Sequence, residues 1–534
     1  MRLRGRDPRA APASSAGAGD ARRLAPPGRN PFVHELRLSA LQKVQVAIMT
    51  LTLFPVRLLC AAFMMLLAWP FALVASLGSA EREPEQPLAL WRKVVDFLLK
   101  AIMRTMWLAG GFHRVAVKGR QAVPAEAAIL TLAPHSSYFD AIPVTMTMSS
   151  VVMKAESRDI PVWGTLIKYI RPVFVSRSDQ DSRRKTVEEI KRRARSGGRW
   201  PQIMIFPEGT CTNRTCLITF KPGAFIPGVP VQPVVLRYPN SLDTITWTWQ
   251  GPGALKILWL TLCQFHNQVE IEFLPVYHPS EEEKKDPALY ASNVRRVMAE
   301  ALGVAVTDYT FEDCQLALAE GQLRLPADTC LLEFARLVRG LGLKPEKLEQ
   351  DLDRHAESAR RKPGGRVSLL EFAAQLEVPK SEALQDLFSL FDEGGAGEMD
   401  LREYVVALSV VCRPSRTLDT IRLAFEMYGS QEDGSVDAES LARILKTALG
   451  VAELTVTDLF RAIDQEEKGR ITFGDFERFA EANPNFAEEH LYPEQTRPRG
   501  CAHALPAPTP NGFCADFSPE TSAAGSEPFH EKLD

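Results

Sequence analysis

The sequence predicts an α/β domain with a mainly parallel sheet flanked by helices. An N-terminal membrane segment precedes it, and an all-α repeat module follows. Three observations carry this. Short apolar runs alternate with helical stretches between about Val115 and Val304, the pattern of buried parallel strands joined by crossover helices. Leu58–Leu77 is 20 residues without a charge, enough to cross a hydrocarbon core about 30 Å thick. Four glycines, Gly365, Gly397, Gly434 and Gly469, recur at separations of 32, 37 and 35 residues. Each is followed two positions later by Val, Met, Val or Ile, which marks a repeat.

Composition agrees with several folded modules. The chain has 534 residues, 45% hydrophobic and 24% charged, which excludes a wholly disordered or collagen-like protein. The net charge of −3 hides a split. Gly342–Tyr492 holds 30 acidic and 18 basic residues, or −12, so the remainder carries +9. Nine scattered cysteines without a CxxC pair give no disulfide framework, zinc ribbon or redox motif. No pattern points to nucleic acid.

Residues 1–43 read as a disordered basic tail, too long and polar to be a secretory signal. Residues 44–79 read as a membrane anchor, either a single span or a re-entrant hairpin. Pro55 and Pro70 raise the second reading, because each removes a backbone donor that lipid cannot replace. Residues 80–112 contain Leu90–Leu108, whose apolar stripe and basic face suit an interfacial helix or a helix packed on the next domain. Residues 113–305 form the α/β domain. Strands are expected at Ala128–Leu132, Pro172–Val175, Gln202–Phe206, Val231–Leu236 and Val269–Leu274, and helices at Ser182–Ala194 and Ala288–Leu302. Residues 306–342 read as a linker, 343–490 as the repeats and 491–534 as a second disordered tail. The terminal Glu531-Lys532-Leu533-Asp534 lacks the paired lysines of a di-lysine retrieval signal.

In an open parallel sheet the chemistry sits in loops after strand C-termini. Directly after the first expected strand comes Pro134-His135-Ser136-Ser137-Tyr138-Phe139-Asp140. A His and an Asp five apart in such a turn let the carboxylate fix the imidazole tautomer, while the other ring nitrogen takes a proton from an alcohol. The same spacing also occurs in plain helix capping. Three further blocks follow: Gly164–Arg177, then Phe206-Pro207-Glu208-Gly209-Thr210-Cys211-Thr212-Asn213, then Val229–Val235.

Four blocks in this order resemble the glycerophospholipid acyltransferase family over about residues 110–305. The Glu208–Arg214 form of the third block, the membrane segment before it and the repeats after it narrow the resemblance to lysophosphatidylcholine acyltransferases. The resemblance implies acyl-CoA as donor and a lysophospholipid as acceptor at a lipid bilayer, with no cofactor for the chemistry. His135 would be the general base and Asp140 its orienting partner. Arg177 would meet the acceptor phosphate, and Glu208, Gly209 and Thr210 would line the acceptor site. Pro230 and Pro233 would shape the strand closing an acyl tunnel. It also implies acetyl transfer to the alkyl lysolipid, and an endoplasmic reticulum location extending to Golgi and lipid droplets. Lysophosphatidate or lysophosphatidylethanolamine are alternative acceptors, and a calcium-responsive scaffold with an inactive catalytic domain is the alternative in kind. Ser136, Ser137 and Cys211 are rival nucleophiles.

Three other features have two readings each. The basic run from Arg183 to Arg199 could meet CoA phosphates or lipid headgroups, or be a solvated helix face. Tyr138 and Trp163 could face a choline ammonium or be core aromatics. Asn213-Arg214-Thr215 is a formal glycosylation sequon, but a glycan there would block the third block. The repeats match EF-hand spacing, with ligands at positions 1, 3, 5, 7, 9 and 12 and Gly at 6. The loop Asp392–Glu403 offers Asp392, Glu398, Asp400 and Glu403 to Ca²⁺, yet its third and fifth positions are Gly394 and Ala396. The 464 loop places Lys468 at a ligand position.

Overall fold

The computed structural model describes residues 30–76, 90–175 apart from breaks near 155–161, 182–318 except 249, and 325–491 with short breaks. The two tails outside this range, and Arg177, lie outside the described residues.

Three helices precede the sheet: α1 (Ala40–Leu51), α2 (Leu53–Ser76) and α3 (Leu90–Ala109). Helix α1 starts at Ser39, whose side chain accepts from the Gln42 N–H while Gln42 reaches back to the Ser39 N–H. The expected membrane stretch therefore divides at Thr52. Pro55 falls in the first turn of α2, where helix N–H groups have no intrahelical partner anyway, and Pro70 lies inside that helix. Among the described residues α2 is the one helix long and apolar enough to cross a membrane, and most of its apolar surface is exposed. Its buried Ala68 and Ala72 pack on Leu99, Met103 and Met106 of α3.

The domain that follows contains β1 (Arg114–Lys118), β2 (Ile129–Ala133), α4 (Ala141–Thr147), β3 (Ser150–Lys154), α5 (Trp163–Tyr169), β4 (Val173–Val175), α6 (Ser182–Ala194), β5 (Ile203–Ile205), β6 (Cys216–Leu217) and β7 (Val231–Arg237). It continues with α7 (Ala254–Leu262), β8 (Gln268–Phe273), α8 (Glu281–Lys285), α9 (Pro287–Leu302) and β9 (Ala305–Val306). Seven strands form one sheet in the order β1-β8-β7-β2-β5-β3-β4, parallel except between β7 and β8. Alternate residues of β2 point to opposite layers. Leu130 and Leu132 pack with Phe139, Ile142 and Ile257, while Ile129 and Ala133 pack with Ile190, Tyr290 and Val294. The expected strands fall within a residue or two of β2, β4, β5, β7 and β8. Strand β3 had no expected counterpart, because Ser-Val-Val-Met-Lys offers only three apolar residues to read.

The stretch expected to be a linker holds α10 (Phe311–Leu318) and α11 (Leu331–Gly340). Asp313 of α10 takes a bidentate pair of hydrogen bonds from Arg339 of α11, at 2.7 and 2.6 Å. Residues 30–43 of the expected N-terminal tail likewise carry structure, including the start of α1. Phe32 is buried against Ile218, Cys314 and Tyr309, between the sheet domain and α10. The repeats pair as EF-hands do. Strands β10 (Arg366–Ser368) and β11 (Glu398–Asp400) run antiparallel with Val367 opposite Met399, and Val436 bridges Ile471 in the same sense.

Candidate active site

The loop after β2 forms a single 3₁₀ turn, Tyr138–Asp140, closed by a capping box. The Ser137 hydroxyl accepts from the Phe139 N–H, and the Asp140 carboxylate accepts from the Ser137 N–H. This local device delivers Asp140 to the imidazole. His135 Nδ1 lies 2.8 Å from Asp140 Oδ2, with both side chains at most 2% exposed. The same oxygen accepts from the N–H groups of Ser136 at 2.5 Å and Ser137 at 3.0 Å. Burial alone would raise the Asp140 pKa. The His135 hydrogen bond and charge, with the two backbone N–H groups, outweigh it and hold the carboxyl below its ordinary range. Capping and the His135–Asp140 contact are one arrangement, so the spacing yields both geometries at once.

Glu208 follows β5 at the same edge of the sheet and is fully buried. Its carboxylate accepts from the backbone N–H of His135 at 2.6 Å and more weakly from that of Ile218 at 3.4 Å. It therefore braces the His135 loop from behind. Burial pushes its pKa up to about 7, against the opposing pull of the His135 N–H and imidazole. Gly209 turns with φ +71°, and a Cβ there would stand 2.9 Å from Lys221 Cε. Thr210 is buried, its hydroxyl 3.1 Å from Cys314 Sγ of α10. Lys221 Nζ sits 3.2 Å from the centre of the Phe311 ring. So α10 covers the back of the third block.

Tyr238, after β7, had no signal in the sequence. Its hydroxyl donates to Asp140 Oδ1 at 2.7 Å. Only the parallel pairing of β7 with β2 brings this residue to the dyad.

An apolar cavity of about 350 Å³ adjoins the turn. Tyr138 and Phe139 form one wall and Leu58 and Met65 of α2 another, with Met103 and Trp163 among the remaining lining residues. Neither Pro230 nor Pro233 lines it. Pro233 lies within β7, paired with Thr131. Tyr138 packs tilted against Phe139 and edge-on to Trp247 and donates to the Ala254 carbonyl at 3.0 Å, so it is packed against the core, as the cavity-lining Trp163 is. In α6, Lys191 pairs with Glu188, and Arg192 and Arg193 pair with Glu189 while stacking around Trp200. That part of the basic run is used internally. The Asn213 side chain donates to the carbonyls of Asn30 and Val33, which closes the sequon to a glycan.

The calcium donor set does not assemble. Asp392 accepts from the N–H groups of Ala396 and Gly397, and the Asp400 carboxylate is held by Arg402. Glu398 lies 4.0 Å from Arg366. Among the described residues no three His, Cys, Asp or Glu side chains converge as metal ligands, Glu403 included. With no side-chain oxygen at positions 3 and 5, these residues do not fit a calcium ion.

A three-layer α/β domain carrying a buried H-x4-D dyad beside an apolar cavity defines the acyltransferase class. Sequence comparison agrees: the Acyltransferase family model matches residues 114–237, and a model for an EF-hand domain pair matches 432–483. The chain is 85% identical to human "Lysophosphatidylcholine acyltransferase 1" and 83% identical to the rat protein of that name, over the whole of both chains in each case. It is 47% identical to mouse "Lysophosphatidylcholine acyltransferase 2", over 87% of this chain and 85% of that one. A solved acyltransferase structure, PlsC from Thermotoga maritima, matches at TM-score 0.35 and 20% identity, covering 49% of this chain and 96% of that one. The chain belongs to the lysophosphatidylcholine acyltransferase family.

Proposed function

We propose that the protein transfers a fatty acyl group from acyl-CoA to the sn-2 hydroxyl of lysophosphatidylcholine, giving phosphatidylcholine. The observation that carries this is the buried His135–Asp140 pair at 2.8 Å, with its own turn forming a wall of the apolar cavity. Asp140 engages Nδ1, so His135 takes the acceptor's proton at Nε2. The hydroxyl oxygen attacks the thioester carbonyl. The tetrahedral intermediate collapses, the C–S bond breaks, and the CoA thiolate leaves and recovers the proton. No acyl-enzyme is needed, and the engagement of the Ser136 hydroxyl with Asp140 and the Ser137 hydroxyl with the Phe139 N–H argues against either as nucleophile. The acyl chain occupies the cavity, where each buried methylene contributes about 0.8 kcal/mol. Glu208, Gly209 and Thr210 line the acceptor side, Glu208 holding the His135 backbone as well, and Arg177 supplies the phosphate contact. Acetyl transfer to alkyl lysolipid uses the same steps with a shorter donor.

Helix α2 and the family support a location on the endoplasmic reticulum membrane, with Golgi and lipid droplets as further sites. A fluorescent fusion that does not overlap a reticulum marker overturns that location. The function is tested with microsomes bearing the protein, labelled acyl-CoA and a panel of lysolipids. Wild type acylates the choline lysolipid preferentially and His135→Ala is inactive. Equal activity in both, or preference for a lysolipid without choline, refutes the mechanism or the substrate respectively.

A further inference from the structure

Asp140 divides its two oxygens between different partners. Oδ2 takes His135 Nδ1 and the N–H groups of Ser136 and Ser137. Oδ1 takes the Tyr238 hydroxyl at 2.7 Å and the Ser136 hydroxyl at 3.2 Å. Tyr238 is buried in the core layer that holds Leu130, Phe139 and Val234, so its ring has no freedom to swing away.

We propose that Tyr238 is a positioning residue for acyl transfer: its hydroxyl pins Asp140 Oδ1, which keeps Oδ2 aimed at His135 Nδ1. The proposal rests on His135 being the general base.

The physical case has three parts. The terminal torsion of a carboxylate is soft, with broad wells. The Ser136 hydroxyl reaches both oxygens, at 3.2 and 3.5 Å, and so favours neither strongly, whereas the Tyr238 hydroxyl, at 2.7 Å from Oδ1 and from outside the turn, fixes which oxygen faces His135. Second, a phenol buried beside a carboxylate stays a donor. Burial first, and the Asp140 charge next, keep Tyr238 protonated far above its ordinary pKa. Third, the surroundings hold the phenol in place. The Arg214 guanidinium carbon lies 5.2 Å from the Tyr238 ring centre, and Arg214 is itself tied to Asp243 at 2.6 Å. The charged and titratable groups around the pair are therefore His135 and Asp140 on the first loop, Glu208 and Arg214 on the third, and Asp243 after β7.

Tyr238→Phe tests this in the full-length protein, since it keeps the ring and removes one hydrogen bond to a charged group. The expected kcat falls about tenfold or more. KM for both substrates stays within about twofold. The acidic limb of the kcat/KM profile moves to lower pH, because an Asp140 that is no longer pinned turns Oδ2 away from Nδ1 and stabilises the His135 imidazolium less. Tyr290→Phe is the control. Its hydroxyl donates to the Val229 carbonyl elsewhere in the domain, so rate and profile stay at wild-type values. Wild-type kcat in Tyr238→Phe overturns the proposal. So does a fall in kcat with the limb unmoved or shifted up, which marks a role other than aiming Oδ2 at Nδ1. Activity in His135→Ala would instead sink the base mechanism. An inactive His135→Ala beside a fully active Tyr238→Phe sinks the Tyr238 role alone.

Discussion

At the residue scale, a short stretch of sequence does two jobs in one geometry. The Ser137–Asp140 capping box is an ordinary way to start a helical turn. Here the capping carboxylate also meets His135, two residues before the cap. The dyad was therefore readable from spacing, because both partners lie on one turn. Glu208 was readable as a member of its block, but its partner, the His135 backbone, was not. Its pKa of about 7 against an ordinary 4.5 gives a signed prediction. The folded state holds a proton that the unfolded chain releases between about pH 4.5 and 7. Stability from this group is thus complete below about pH 4.5 and lost as pH rises through 7, by a few kcal/mol at roughly 1.4 kcal/mol per pKa unit. Melting temperatures of solubilised Glu208→Gln, measured from pH 5 to 8, should fall less with pH than wild type. Parallel curves would show that Glu208 is ionised throughout.

At the element scale, the apolar helix α2 is fastened to the sheet domain. Arg57, the one charge in it, is buried and donates to the carbonyls of Leu262, Gln264 and Phe265, where α7 ends. Those carbonyls have no partner within their own helix, so Arg57 acts as a cap supplied from another element. The sequence showed only an arginine interrupting an apolar run. Arg57→Met should destabilise the protein by about 3 kcal/mol, since it strands buried carbonyls. It should also open α2 to protease. An unchanged melting temperature would mean that α2 docks by apolar packing alone. The repeats give the reverse lesson. Glycine periodicity found them, yet it is the partners of Asp392, Asp400 and Asp464 that decide what their acids do. Asp464, like Asp392, accepts two N–H groups of its own loop. Calorimetric titration of the full-length protein with Ca²⁺ should show no binding in the micromolar range of sensor sites. A chelator should leave acyl transfer unchanged.

At the scale of the whole molecule, the acidic module and the basic domain are joined by built contacts. Phe32 from the N-terminal segment, Cys314 and Phe311 from α10, Thr210 from the third block and Lys221 downstream of it meet in one place. The Asp313–Arg339 pair carries that junction into the repeats. The Asp313 side chain is fully buried, and burial holds its pKa above the ordinary value despite Arg339. Arg339→Ala should cost about 3–5 kcal/mol, because a buried carboxylate loses its partner. Adding Asp313→Asn should recover much of that, since it removes the stranded charge. If the double variant melts no higher than Arg339→Ala, the loss came from packing rather than charge.

The sequence by itself determined the parallel α/β class, the order of the four blocks, the apolar helix, the paired repeats and the His135–Asp140 turn. All of these are encoded in local periodicity or in spacing within one turn. Only the tertiary structure decided that Glu208 holds the His135 backbone and that Tyr238 reaches Asp140 from 98 positions away. It alone decided that Arg57 caps α7, and that the expected linker is a helix pressed against the third block. The reason is common to all four. Each depends on which strand lies beside which, and on a buried polar group finding a distant partner. No local pattern records such a pairing.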